Sequence, residues 1–211
     1  MKILVDANIT AVQELFQPHG EVVRKEGRLI RREDLESVDA LIIRSVTPVN
    51  SELLNDTSVS FVGTTTIGTD HLDIEWLDQN GIKWASAPGC NADSAAQYTL
   101  AIIWLACERS GRQLADQTAG IIGRGNVGSR VMYLLNSLGV ETVANEPPLA
   151  DAGEEGLVSL DDALRQDIVC LHVPLERLGP YPTVHLLNEK TLAATRDGAM
   201  LVNSARGAVI D

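Results

Sequence analysis

Gly123-x-Gly125-x-x-Gly128 is the chemical core of the stretch GIIGRGNVGS. The apolar run TAGIIG (118–123) precedes it and a helix-patterned run follows, so the glycines fall in a strand-to-helix turn. In such a turn Gly123 permits the tight bend. Gly125 lets the backbone approach a pyrophosphate, and Gly128 lets the helix pack closely on the strand. The free N–H groups at the mouth of that helix attract phosphate. Glu146, at the end of the next strand, lies about twenty residues on, where an acid can accept hydrogen bonds from an adenosine ribose. An acid there repels a 2′-phosphate, which favours NAD over NADP. Arg124 inside the loop weakens that preference, because it could reach a phosphate. The last residues, LVNSARGAVID, set Arg206 where a strand gives way to a loop, and its planar guanidinium fork suits a carboxylate.

Other candidates carry less. In GTDHLD, His71 stands among aspartates, but the spacing fits a helix start capped by Asp73 better than a metal site, and no metal is expected. His172 ends a strand near the expected cofactor crevice. His185 precedes apolar residues and reads as structural. Cys90, Cys107 and Cys170 are odd in number and form no CxxC, which fits free thiols in a reducing, cytoplasmic setting.

These residues need a scaffold, and the hydrophobic pattern supplies one. Strands are expected at 2–7, 21–26, 40–45, 59–64 and 83–88, with helices near 10–17, 50–55 and 73–79. This alternation argues a parallel sheet covered on both faces. Residues 93–110 read as a long helix, capped by Asp93 or Ser94, with Leu100, Ile103, Trp104 and Cys107 on one face. Its other side is apolar too, which predicts a buried helix between two domains. A second alternation follows: strands at 118–123, 141–146, 168–173 and 199–205, and helices at 126–138, 159–165 and 189–195, with an acidic loop after 146. The expected organisation is a substrate domain (1–92), an interdomain helix (93–112) and a dinucleotide-binding domain (113–211).

The chain has 211 residues, 45% hydrophobic and 22% charged, with a net charge of −12. That charge argues against nucleic acid or an anionic membrane as partner, and the longest apolar run is too short to span a bilayer.

The glycine motif after a long helix, LHVPL (171–175) and NSARGAVID (203–211) together resemble the D-2-hydroxyacid dehydrogenases. RSVTPVN (44–50), FVGTTTIGTDHLD (61–73), APGCNA (87–92) and GPYPTVHL (179–186) narrow the resemblance to the branch acting on a phosphorylated sugar acid, 4-phosphoerythronate, in vitamin B6 biosynthesis. It implies an α/β fold of two doubly wound parallel-sheet domains, a flavodoxin-like substrate domain and a Rossmann domain incomplete at its C-terminus. It implies NAD as cofactor and a homodimer for the full-length family. By residue, it implies Arg206 as catalytic and Ser45 and Thr66 as substrate-binding. Gly123, Gly125, Asn126, Val127, Gly128, Glu146, Val173, Ser204, Ala205 and Arg206 fall at its cofactor-binding positions. Glu146 replaces the family's usual Asp, and Val173 replaces a Thr. The family's proton-transferring histidine and the glutamate beside it lie further along than Asp211, which implies a truncated chain and a poor dehydrogenase. Competing expectations are a dehydrogenase of another 2-hydroxy acid, such as 3-phosphoglycerate, and a non-catalytic NAD- or anion-binding module. Six strands in the order 3-2-1-4-5-6 make the full dinucleotide fold. Strands one to four are expected here, with 199–205 at the edge.

Overall fold

The computed structural model describes all residues, Met1–Asp211, and divides into two compact units, Met1–Cys90 and Asn91–Asp211. The first unit runs β1 (Lys2–Asp6), α1 (Val12–Phe16), β2 (Glu21–Lys25), β3 (Ala40–Ile43), α2 (Ser51–Leu54), β4 (Phe61–Thr64), α3 (Ile74–Gln79) and β5 (Lys83–Ala85). All its strands are parallel, in the order β2-β1-β3-β4-β5. Side chains alternate across a strand, so an unbroken apolar run fills two cores at once. Leu4, Leu41, Ile43 and Val62 face one core. Ile3, Val5, Ala40 and Ile42 face the other.

The second unit runs α4 (Ala92–Ser110), β6 (Thr118–Ile122), α5 (Asn126–Ser137), β7 (Glu141–Asn145), α6 (Pro147–Asp151), α7 (Leu160–Leu164), β8 (Ile168–Leu171), α8 (Glu189–Leu192) and β9 (Met200–Asn203). Its parallel sheet has the order β7-β6-β8-β9. On one face Ile103 and Cys107 of α4 meet Val131 and Leu135 of α5. On the other, Ala163 and Leu164 of α7 pack with Val169, Leu171, Leu187 and Val209.

The strand order corrects one expectation. Strands one to four of a 3-2-1-4 sheet would put β8 outside β7; β8 pairs with β6 instead. The chain leaves β7 and crosses back over β6 through α7. Gly120 in β6 makes the crossing possible, because a Cβ there would overlap the backbone carbonyl of Ala163. The order in which strands are added therefore reverses between β6 and β8, at the glycine turn. As expected, β9 lies at the end of the sheet.

Helix α4 corrects another. It is not buried all round: Ala92, Ala96, Thr99, Ile103 and Cys107 are buried, whereas Tyr98, Trp104 and Leu105 are exposed. The buried positions recur every three or four residues, and two are alanines that let α5 come close. Trp104, expected on the buried face, is 53% exposed. Neither Asp93 nor Ser94 caps this helix; its N-cap is Asn91, without a side-chain cap, and Asp93 pairs with Arg130 of α5 instead. The acidic loop after β7 begins with α6, which Pro147 and Pro148 disguise, although proline is well suited to a first helical turn. No helix is long and apolar enough to cross a membrane.

Candidate functional site

Each unit gathers polar groups at the C-terminal ends of its strands. In an open parallel sheet, the crevice at a reversal of strand order is where ligands bind. In the first unit that reversal falls between β1 and β3. Asp6, the last residue of β1, is wholly buried there. It accepts hydrogen bonds from Arg44 Nε at 2.8 Å and from the Asn8 amide at 2.9 Å. Burial alone raises the Asp6 pKa, but the Asn8 N–H and the Arg44 guanidinium outweigh it and hold the carboxyl below its usual range. Gly27 makes room for this carboxylate, because a Cβ there would overlap Asp6 Oδ2 and crowd Thr47 Oγ1.

Ser45 is exposed just beyond β3, and Thr66 follows β4 by two residues. Thr66 Oγ1 lies 2.7 Å from Thr64 Oγ1 and donates to the Gly68 carbonyl at 3.3 Å. Thr64 Oγ1 in turn meets His71 Nε2 at 3.0 Å. His71 therefore belongs to a chain of hydroxyls ending at Thr66. Asp73 caps α3, accepting from the Trp76 amide at 3.1 Å, as the sequence predicts. Sequence reasoning missed Asp6 and Thr64. The available signal for Asp6 was an acid closing an otherwise apolar strand, KILVD.

In the second unit the three glycines have different surroundings. Gly123 has φ +94°, and a Cβ on it would press on the His172 carbonyl carbon and the Val173 nitrogen, each within 3 Å. At Gly128 a Cβ would overlap the Gly123 carbonyl oxygen. At Gly125 a Cβ would meet nothing within 4 Å. Gly125 is also the N-cap of α5, and no side chain caps that helix. The first amides of α5, from Asn126, Val127 and Gly128, thus open beside a bare patch of backbone. These features fit the phosphates of a dinucleotide.

Glu146 directly follows β7 and accepts a hydrogen bond from the Arg124 amide at 2.7 Å. The Arg124 guanidinium pairs with Glu154. Beyond β8 and β9, Ser204 Oγ sits 2.7 Å from His172 Nδ1. Burial pushes the His172 pKa down to about 4, and its Nε2 is buried without a protein partner. Asn203 braces the turn that carries Ala205 and Arg206: its Oδ1 accepts from the Ala205 amide at 2.9 Å, and its Nδ2 donates to the Arg206 carbonyl at 2.9 Å. Arg206 is half-buried at the start of a short 3-10 turn. Gly123, Gly125, Asn126, Val127, Gly128, Glu146, Val173, Ser204, Ala205 and Arg206 thus all lie at C-terminal strand ends of one sheet or the turns that follow them. Asn203, His172 and Glu154 join them, and the motif does not name these. No group of three or more His, Cys, Asp or Glu side chains is placed to hold a metal ion. His185 Nδ1 lies 3.3 Å from Asp211. Cys107 and Cys170 are buried and Cys90 is exposed, all as free thiols.

Comparison with known proteins agrees with this geometry. Residues 91–211 match the NAD binding domain of the D-isomer specific 2-hydroxyacid dehydrogenases. The whole chain is 47% identical, over 213 aligned positions, to erythronate-4-phosphate dehydrogenases of Yersinia pestis (strain Pestoides F) and Yersinia pseudotuberculosis serotype O:1b (strain IP 31758). It spans 57% of the length of those relatives. Among solved structures, NAD+-bound 3-phosphoglycerate dehydrogenase of Entamoeba histolytica superposes over the whole chain and 74% of its own, with a TM-score of 0.87 at 24% identity. The TT0316 protein of Thermus thermophilus does so over 76% of its own chain, with a TM-score of 0.82 at 26% identity. The second unit is therefore an NAD-binding domain, and the chain belongs to the D-isomer specific 2-hydroxyacid dehydrogenases.

Proposed function

We propose that the protein containing this chain oxidises 4-phospho-D-erythronate at its 2-hydroxyl with NAD, in the route to pyridoxal phosphate. The observation that carries the dehydrogenase reading is the uncapped start of α5 beside the open Gly125, set where the second sheet reverses. The choice of substrate rests on the named relatives, at 47% identity along the whole chain.

In this reading the second unit holds the cofactor. Gly123, Gly125, Asn126, Val127 and Gly128 receive the pyrophosphate, and Glu146 takes the adenosine ribose. Val173, Ser204, Ala205 and Arg206 line the nicotinamide half. When bound, NAD supplies the acceptor for the hydride lost from C2, and the hydroxyl proton is released to solvent. Arg206 holds the neighbouring carboxylate and polarises the forming carbonyl, through a charge-assisted contact worth about 1.5–3 kcal/mol. Asn203 keeps the turn of Arg206 in place. Ser45 and Thr66 of the first unit are the residues assigned to substrate contact. His172 does not act as the base. With a pKa near 4 and Nδ1 engaged by Ser204, it has little drive to take a proton at neutral pH.

NADH formation, followed at 340 nm with the natural polypeptide, tests the proposal against 4-phosphoerythronate, 3-phosphoglycerate and lactate. Preference for 4-phosphoerythronate is expected. Preference for 3-phosphoglycerate would reassign the substrate, and NADH binding without turnover of any acid would leave a cofactor-binding module. Replacing Arg206 by Ala is expected to lower kcat/KM about ten- to a hundredfold, with a far smaller loss of NADH affinity.

A further inference from the structure

We propose that Glu154 sets cofactor selectivity by holding Arg124 away from the position a 2′-phosphate would take. The inference rests on the reading of Glu146 as the acid facing the adenosine ribose. Arg124 is the cation built into that corner. Its amide donates to Glu146 Oε2 at 2.7 Å, and its carbonyl accepts from Ser129 Oγ at 3.0 Å, so its backbone is fixed beside the ribose acid. An arginine so placed is a ready phosphate receptor, since its fork matches phosphate oxygens in pairs.

The side chain is committed elsewhere. Nη2 of Arg124 pairs with Glu154 Oε1, and the arginine side chain is only 21% exposed. Glu154 reaches it because the chain beyond Glu146 turns through α6 and folds back. The Glu154 amide bonds the Leu149 carbonyl at 3.0 Å, Gly153 adopts φ +88°, and Val158 rejoins β7 through the Ala144 carbonyl at 2.9 Å. One carboxylate, Glu146, thus holds the Arg124 backbone, and a second, Glu154, holds its guanidinium. Glu146 repels a 2′-phosphate, and Glu154 neutralises the charge that would otherwise attract it. A lone acid at the end of β7 would disfavour NADP by repulsion alone, with Arg124 free to offset it. The paired arginine removes that offset.

Binding of NADH and NADPH, measured by fluorescence titration at fixed ionic strength, tests this without any substrate. Glu154→Gln frees Arg124 and is expected to tighten NADPH about tenfold, with NADH within about twofold of wild type. Glu155→Gln removes the same charge from the next residue, an exposed one, and is expected to leave the NADPH-to-NADH ratio within about twofold of wild type. The double variant Arg124→Gln/Glu154→Gln is expected to lose the NADPH gain. Unchanged selectivity in Glu154→Gln overturns the proposal. So does an equal gain in Glu155→Gln, or a gain that persists without Arg124. Wild-type protein that fails to bind NADH overturns the ribose reading itself and the proposal with it. NADH affinity in every variant doubles as the check that the site has folded.

Discussion

At the scale of residues, the three glycines of the turn do different work, and substitution separates them. Gly123 and Gly128 are packed against backbone, so their missing side chains serve the fold. Gly125 faces open space at φ −80°, a backbone any residue can adopt. Gly125→Val is therefore expected to fold normally but to lose NADH affinity by roughly a hundredfold, since a branched side chain would occupy the phosphate cradle. Gly128→Val is expected to lower stability by more than the roughly 1–3 kcal/mol of ordinary overpacking, because it collides with a carbonyl that cannot swing aside. Titration and thermal melting of both variants check the contrast. Wild-type NADH affinity in Gly125→Val would move the phosphates elsewhere. The spacing alone identified these glycines, because a tight turn and a close approach both demand glycine locally. It could not pair Asp6 with Arg44, 38 positions apart, since their meeting depends on β1 and β3 being neighbours.

At the scale of elements, most strands were legible because they are runs of apolar residues ending near a turn, and β3 is buried along its whole length. The prolines of α6 hid a helix, and the order of β8 beside β6 left only Gly120 as a local trace. That order brings His172, just beyond β8, against the glycine turn: its amide bonds the Ile122 carbonyl at 2.8 Å. The consequence is a pH dependence of stability. The unfolded chain's imidazole takes up its proton near pH 6.5, the folded one only near pH 4. Between those values the unfolded state binds more protons, so stability is full above pH 6.5. It then falls by about 3 kcal/mol as pH drops to 4. Urea unfolding midpoints from pH 4 to 7 check this by comparison with His172→Gln, whose curve should be flatter by that amount. Parallel curves would mean that the imidazole is not held neutral by burial. Asp6 works in the same sense at lower pH. Its depressed pKa contributes stability above the ordinary carboxylate value that is lost as pH falls through the folded one. Removing its carboxylate as Asp6→Ala is expected to cost about 3 kcal/mol, because Arg44 then loses its buried partner.

At the scale of the whole molecule, each unit carries its own sheet and its own pair of cores. Leu41 and Ile42 take opposite faces in the first unit, as Ile121 and Ile122 do in the second. A ligand that binds one folded unit stabilises that unit by mass action and leaves the other alone, unless the two unfold together. The tryptophans allow this to be read directly. Trp76 and Trp84 belong to the first unit, and Trp104 is the only tryptophan in the second. Two variants, one keeping Trp104 and one keeping Trp76 and Trp84, with phenylalanine elsewhere, report the units separately during urea unfolding. At a hundred times its Kd, NADH is expected to stabilise the unit reported by Trp104 by about 2.7 kcal/mol. The transition reported by Trp76 and Trp84 should move by far less. Equal displacement of both would show one cooperative unit. Displacement of the first unit alone would place the cofactor on the wrong sheet, because the uncapped helix beside Gly125 would then receive nothing.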